Sequence, residues 1–342
     1  MKRLSVLILG LILALGACSG GAHKMGDRDA GAAGNGDKPT TITVGLTYIP
    51  DIQFAPLYVA EAQGYFEDEG LNVTLRHHGA QENLLGALQS GEEDVVFAGG
   101  DEMMQARSTG VDVVNWATLY QNYPVALIVP EDSPIHSWKD LEGRTVGLPG
   151  PYGENYYALV AAQREYDLEG KVEAAYIGYT QATALEKGEV DAVIGFSNND
   201  SVALASAGIA VRTIPFADDS VPLVGVGLGS MADSLDVPAY ARLLDALDRA
   251  YEFAQANPEE TLDITQTYVP ALSDPTQREI AAKVLDATLQ LYGGGSGFGA
   301  QNPQRWESMS KLFAETGITE QTVPAEEAYM LDVINARTPA TN

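Results

Sequence analysis

Thr41-Ile42-Thr43-Val44-Gly45-Leu46-Thr47-Tyr48-Ile49-Pro50-Asp51-Ile52-Gln53-Phe54-Ala55-Pro56 moves in one short stretch from polar–apolar alternation, through a loop, to a proline at a helix start. Alternation with period two is the signature of a half-buried strand, and proline suits the first helical turn because its missing N–H would be unpaired there anyway. The helix opened at Pro56 carries Leu57, Val59, Ala60 and Tyr65 and is closed by Gly70. Leu71-Asn72-Val73-Thr74-Leu75 then reads as the next strand.

The same alternation continues outward. Helices are expected over 82–89 and 101–109, and strands at Asp94-Val95-Val96-Phe97-Ala98 and Val111-Asp112-Val113-Val114. A second set follows Ile128-Val129-Pro130: a strand over 144–148, a helix over 156–166, a strand over 172–177, a helix over 182–187 and a return through 211–215. Two long helices, about 238–257 and 275–292, complete the pattern. Repeated strand–helix units imply parallel sheets covered by helices, an α/β fold. Leu88-Gln89-Ser90-Gly91-Glu92-Glu93-Asp94-Val95-Val96 recurs as Leu185-Glu186-Lys187-Gly188-Glu189-Val190-Asp191-Ala192-Val193, both fitting L-x-x-G-E-x-D-x-V. That is a helix end, a glycine cap and an aspartate entering a buried strand, and it points to two similar lobes. The expected division is 39–130 plus 222–342 for lobe one and 131–221 for lobe two, with hinge crossings near 129–133 and 217–223. Ligands of such folds bind in the cleft at the carboxyl ends of the strands.

The chain of 342 residues carries 47 acidic against 20 basic residues, a net charge of −27. Such a balance argues against nucleic-acid binding, whose affinity comes from Lys and Arg on phosphates. The single cysteine rules out an intramolecular disulfide framework and a cysteine zinc cluster. It is Cys18, at the end of Leu15-Gly16-Ala17-Cys18, after basic Lys2 and Arg3 and an apolar run over 4–15 that is too short to span a bilayer. This arrangement resembles a bacterial lipobox, which implies cleavage after residue 17, acylation (including palmitate) of Cys18 and a lipid-held extracytoplasmic protein. Residues 18–38, rich in Gly, Ala and Asp, read as a flexible tether.

No catalytic constellation, metal cluster or cofactor loop is legible. His77 and His78 are adjacent at a strand end, so their side chains point opposite ways and are expected at the surface. Gly147-Leu148-Pro149-Gly150-Pro151-Tyr152-Gly153 lacks the Gly-Lys-Ser/Thr of a phosphate loop, and Gly225-Val226-Gly227-Leu228-Gly229 has the wrong spacing for a dinucleotide fingerprint and reads as a hinge or crossing. The loops are instead aromatic, amide and carboxylate: Tyr48 to Phe54 with Asp51 and Gln53, Gly99-Gly100-Asp101-Glu102, Tyr120-Gln121-Asn122-Tyr123, Tyr152-Gly153-Glu154-Asn155-Tyr156 and Phe196-Ser197-Asn198-Asn199-Asp200. None contains Lys or Arg. Aromatic faces stack and amide or carboxyl groups give directional hydrogen bonds, a combination suited to a neutral or weakly basic heteroaromatic. An anion would be expected to draw an arginine fork or a lysine.

At these residues the chain resembles the SsuA/THI5-like (NMT1) family of substrate-binding proteins. The likeness rests on residues 45–56, on Gly64-Tyr65-Phe66-x-x-Glu69-Gly70-Leu71-x-Val73, and on Gly79-Ala80-Gln81-Glu82-Asn83, Ala98-Gly99-Gly100-Asp101-Glu102 and Gly178-Tyr179-Thr180-Gln181. The resemblance implies the type II periplasmic-binding fold and delivery of a solute to an ABC transporter permease. It places ligand contacts at Asp51, Gln53 and Phe54, at Asp101 and Glu102, at Tyr152, Gly153, Glu154 and Tyr156, and at Asn198, Asn199 and Asp200, with Tyr48 and Tyr120 added from the aromatic loops. Gln53-Phe54-Ala55 and Gly-Asp-Glu look like the branch that binds thiamine pyrimidine precursors. Riboflavin and an aliphatic sulfonate are the alternative solutes. The family also includes a pyrimidine synthase with a cysteine-rich motif, which this chain lacks.

Overall fold

Ten strands form two five-stranded sheets in the computed structural model, which describes residues 39–79, 82–216, 221–293 and 297–337. The first sheet contains β1 (Thr40–Leu46), β2 (Leu71–His77), β3 (Val95–Gly99), β4 (Val113–Thr118) and β10 (Val226–Met231), in the order β2-β1-β3-β10-β4. The second contains β5 (Val125–Pro130), β6 (Thr145–Leu148), β7 (Glu173–Tyr176), β8 (Ala192–Phe196) and β9 (Val211–Ile214), in the order β7-β6-β8-β5-β9. Four strands of each sheet run in one direction; β10 and β5 run antiparallel between their neighbours. The α/β reading holds, and both sheets have one topology. Cys18 and the leader and tether residues before Pro39 lie outside the described residues, among which no helix is long and apolar enough to cross a membrane.

The internal echo marks the same joint in both sheets. Gly91 and Gly188 adopt left-handed conformations after their helices, with φ of 75° and 65°. Asp94 Oδ2 then accepts from Thr43 N at 2.8 Å, while Asp191 Oδ2 accepts from Thr145 N at 2.8 Å. Each aspartate ties the start of the third parallel strand to the start of the first. The repeated motif is therefore a device of the fold.

The chain first passes from one sheet to the other earlier than 129–133. Val125–Pro130 pairs with β8 and β9, so the first crossing runs over 119–124, not 129–133. The apolar run Val125-Ala126-Leu127-Ile128 gives a buried strand, but its partners are distant in sequence. Residues 217–220 of the second expected crossing lie outside the described residues. Gly225–Gly229 is not a free hinge. Most of it is β10, the buried antiparallel strand between β3 and β4. Its glycines permit close approach, since a Cβ on Gly227 would overlap the Ala117 carbonyl and one on Gly229 would meet Met103 Sδ at 2.6 Å.

Helix boundaries mostly shift by a residue or two, with three informative exceptions. The helix expected from Pro56 to Gly70 is broken at Gly64 (φ 72°) into Ala55–Ala62 and Tyr65–Asp68. The helix expected from Glu82 begins at Gly86, because Glu82 turns back to accept from Arg76 Nη2 (2.6 Å) and Gly79 N (3.0 Å). Pro303–Thr316, capped by Asn302 and ended by left-handed Gly317, is an additional helix with legible signals. Its Trp306, Met309, Leu312 and Phe313 pack into the core around β5, β6 and β8.

Candidate functional site

The five polar loops follow strands, and four of them follow the carboxyl ends of parallel β1, β3, β6 and β8. Helices Gly100–Ser108 and Gly153–Glu165 start there, each end carrying a partial positive charge that favours nearby carboxyl groups. The two starts come together through glycine. A Cβ on Gly99 would lie 3.0 Å from Glu154 Oε1, and one on Gly153 would lie 3.6 Å from Glu102 Oε1. Gly153 is also left-handed, with φ of 71°.

Asp101 is fully buried. Its Oδ1 accepts from Glu102 N at 2.7 Å and its Oδ2 from Tyr123 Oη at 2.7 Å. Tyr123, on the crossing between sheets, also lies 3.3 Å from the Glu154 carbonyl and so bridges elements of both. Glu102 Oε2 turns back to accept from Gly99 N at 3.3 Å. Glu154 is 7% exposed and its Oε1 has no partner. Burial pushes Asp101 and Glu154 well above the ordinary carboxyl range, reinforced at Asp101 by the charge of Glu102 and at Glu154 by those of Asp101 and Glu102. Burial raises Glu102 to about 7. Asp51, which accepts from Gln53 N at 3.1 Å, and Asp200, which accepts from Phe196 N at 2.7 Å, are also raised by burial. No cation figures among the groups that perturb these five. Arg305, which comes up to the crossing, donates to the Gln121 carbonyl at 3.4 Å.

Unpartnered buried atoms on these loops and the rings beside them are Glu154 Oε1, Asn155 Oδ1, Asn198 Oδ1, Tyr120 Oη and Tyr292 Oη. Buried polar groups are nearly always hydrogen-bonded, and leaving one unpaired costs about 1–3 kcal/mol. Asn198 is anchored from behind, its Nδ2 donating to Thr288 Oγ1 at 2.9 Å on the helix Pro275–Tyr292. Below the carboxyl groups lies an aromatic floor. Phe54 sits edge-on to Phe97 and His77 at 5.5 Å each, and Tyr120 edge-on to Phe97 at 6.0 Å and Tyr292 at 5.1 Å. The arrangement can accept hydrogen bonds from a bound molecule.

Other expected residues are placed less centrally. Tyr156 is half-buried and edge-on to Tyr157, while Tyr48 and Tyr152 are exposed at the rim. Asn199 precedes its helix without capping it through its side chain, and Gln53 engages Asp51 through its backbone. Sequence reasoning left Tyr123, Asn155 and Tyr157 out of the candidate set although two of the loops it singled out contain the first two. Thr288 carried no signal, being one small residue on an amphipathic helix.

The histidines need correction too. His78 is buried and bonds Glu93 Oε1 at 2.9 Å, while His77 faces the other way, to Tyr58 Oη at 3.0 Å and the Tyr48 carbonyl at 3.1 Å. Ligating atoms of His78, Glu82 and Glu93 lie within 4.8 Å of one another. The cation already there is Arg76, 2.6 Å from each of the two glutamates.

Two sheets of this order, with polar loops at the carboxyl ends of their parallel strands, give the chain the fold of the periplasmic solute-binding proteins. Its backbone is similar to the periplasmic aliphatic sulphonate binding protein SsuA from Escherichia coli, with a TM-score of 0.67 over 84% of this chain and 91% of that one, at 16% identity. The NMT1/THI5-like family model matches residues 51–261, and the chain belongs to that family. It is 30% identical to the riboflavin-binding protein RibY of Chloroflexus aurantiacus, covering 96% of this chain and 97% of the relative. It is 26% identical to a formylaminopyrimidine-binding protein of Halalkalibacterium halodurans, covering 84% and 89%.

Proposed function

We propose that this protein is the extracytoplasmic binding component of an ABC importer, held to the membrane by lipid on Cys18, and that it captures a flat nitrogen heterocycle bearing N–H or O–H donors. The observation that carries the ligand class is the set of buried, unpartnered acceptors: Glu154 Oε1, Asn155 Oδ1 and Asn198 Oδ1, beside Tyr120 Oη. A donor-rich ligand would satisfy them, and the carboxyl groups raised by burial would serve as donor or acceptor according to protonation. A sulfonate would be repelled by the same carboxyl groups and find no guanidinium fork. An aminopyrimidine of the thiamine-precursor type fits these acceptors, and the names of the relatives are compatible with both a pyrimidine and a flavin. The chain carries no cysteine cluster for a synthase, and capture without turnover is the reading adopted. Closure would stabilise the bound form by its differential affinity, and the permease would read that shape.

A thermal-shift screen of the purified protein tests this, using riboflavin, 4-amino-5-hydroxymethyl-2-methylpyrimidine and taurine, followed by calorimetry on each responder. A shift with either heterocycle, at one ligand per chain and with no product formed, is expected. A response to taurine alone would sink the reading.

A further inference from the structure

Tyr292, the last residue of the helix Pro275–Tyr292, belongs to none of the polar loops, yet its ring lies edge-on to Tyr120 at 5.1 Å. Tyr120 in turn meets Phe97 at 6.0 Å, and Phe97 meets Phe54 at 5.5 Å, so Tyr292 continues the aromatic floor of the site. The crossing over 119–124 holds the helix end in place: Asn122 N donates to the Leu291 carbonyl at 3.1 Å, and Asn122 Nδ2 to the carbonyls of Gln290 at 3.1 Å and Gly293 at 3.3 Å. One turn earlier, Thr288 Oγ1 accepts from Asn198 Nδ2 at 2.9 Å. Residues four apart share a helix face, and helical side chains lean toward the N-terminus. Tyr292 therefore leans back over Thr288, on the side where Asn198 is held.

The hydroxyl group is what sets this residue apart. Tyr292 is 3% exposed and Tyr120 2%, and neither Oη has a hydrogen-bond partner among the described residues. The fold fixes the Tyr292 ring without using its oxygen, stacking it on Tyr251 at 5.1 Å and on Phe298 at 5.8 Å. Tyr251, in the same stack, uses its own hydroxyl: it accepts from Gln255 Nε2 at 2.8 Å and donates to the Leu289 carbonyl at 3.4 Å. A buried phenol normally finds a partner. Burial also keeps Tyr120 and Tyr292 in the O–H form, so each has a proton to donate. The unpartnered oxygens of Asn155 and Asn198 can only accept. Donors and acceptors that face one site and do not bond each other leave room for a molecule that meets both.

We propose that Tyr292 is a specificity-determining residue of the binding site, its hydroxyl donating, together with that of Tyr120, to an acceptor atom of the ligand: a carbonyl oxygen or an unprotonated ring nitrogen. The ligand then carries an acceptor on the edge facing the helix Pro275–Tyr292, besides the donors that meet Glu154, Asn155 and Asn198. This rests on the heterocycle reading above and adds to it a residue that none of the polar loops contains.

Tyr292→Phe removes the hydroxyl and keeps the ring in its stack. Isothermal titration of the purified protein with riboflavin and with 4-amino-5-hydroxymethyl-2-methylpyrimidine, paired with melting of the empty protein, tests the role. Whichever probe the native protein binds is expected to bind Tyr292→Phe about 10-fold more weakly. The empty variant is expected to melt no lower than the native protein, because the group removed was unpaired. Tyr251→Phe deletes a hydroxyl that the fold already uses, and it is expected to keep the native affinity. Native affinity in Tyr292→Phe, or a loss that Tyr251→Phe matches or that comes with a lower Tm, would make Tyr292 a packing group and refute its role while the heterocycle reading stands. Binding of neither probe by the native protein overturns both.

Discussion

Replacing Glu154 by glutamine should move binding and stability in opposite directions. Glu154 is buried at the start of its helix, Oε1 has no partner, and Asp101 and Glu102 oppose its ionisation on top of burial. Glutamine keeps the shape, brings two donors beside two carboxyl groups and cannot ionise. The empty protein should therefore gain about 1–3 kcal/mol, the range for relieving one buried unsatisfied group. For a chain of this size that is a rise in Tm of roughly 2–6 °C. The gain should widen with pH: a carboxyl whose folded pKa is raised loses its contribution to stability as pH climbs from the unfolded toward the folded pKa, and glutamine does not. Ligand affinity should fall, because glutamine puts an NH2 donor where the carboxyl oxygen can accept, and a buried group left unpaired costs about 1–3 kcal/mol, or roughly 5- to 150-fold. Differential scanning calorimetry of the empty protein, paired with isothermal titration of riboflavin and the aminopyrimidine, measures both. A variant that melts lower and binds as the native protein does would make Glu154 a structural group and refute the argument.

Three further outcomes are expected. Glu102, raised to about 7 by burial, should make the empty protein more stable near pH 5 than near pH 8, the loss falling between the ordinary carboxyl range and about 7; melting curves across that range should flatten in Glu102→Gln. Thr288→Val should leave Asn198 Nδ2 unpaired in the interior, costing about 1–3 kcal/mol in urea unfolding and weakening ligand binding several-fold; unchanged unfolding would show that the bond does not hold Asn198 in place. Cys18→Ala should release the protein from the membrane fraction and abolish labelling by palmitate, and retention of either would remove the lipid anchor from the proposal.

The strand–helix alternation, the caps and the site's loops follow from local chemistry, so they were legible along the chain. Alternation in 41–46, glycine caps at Gly91 and Gly188 and aspartates at Asp94 and Asp191 act over a few residues, and each has one low-energy solution. The polar, cation-free character of the loops could be read for the same reason: composition is local. Long-range pairing was not legible. Val125–Pro130 is a buried strand, and only its pairing with residues 65–87 positions later moved the crossing to 119–124. The glycines of β10 looked like a hinge because their cause, the approach of Ala117 and Met103, comes from elsewhere in the chain. The same holds at the site. Sequence supplied Glu154 and Asn198 as polar loop residues, but tertiary packing buried them, withheld partners from Glu154 Oε1 and Asn198 Oδ1, and set Thr288 behind Asn198. Burial and the absence of a partner are properties of everything that surrounds an atom, and no stretch of chain carries them alone.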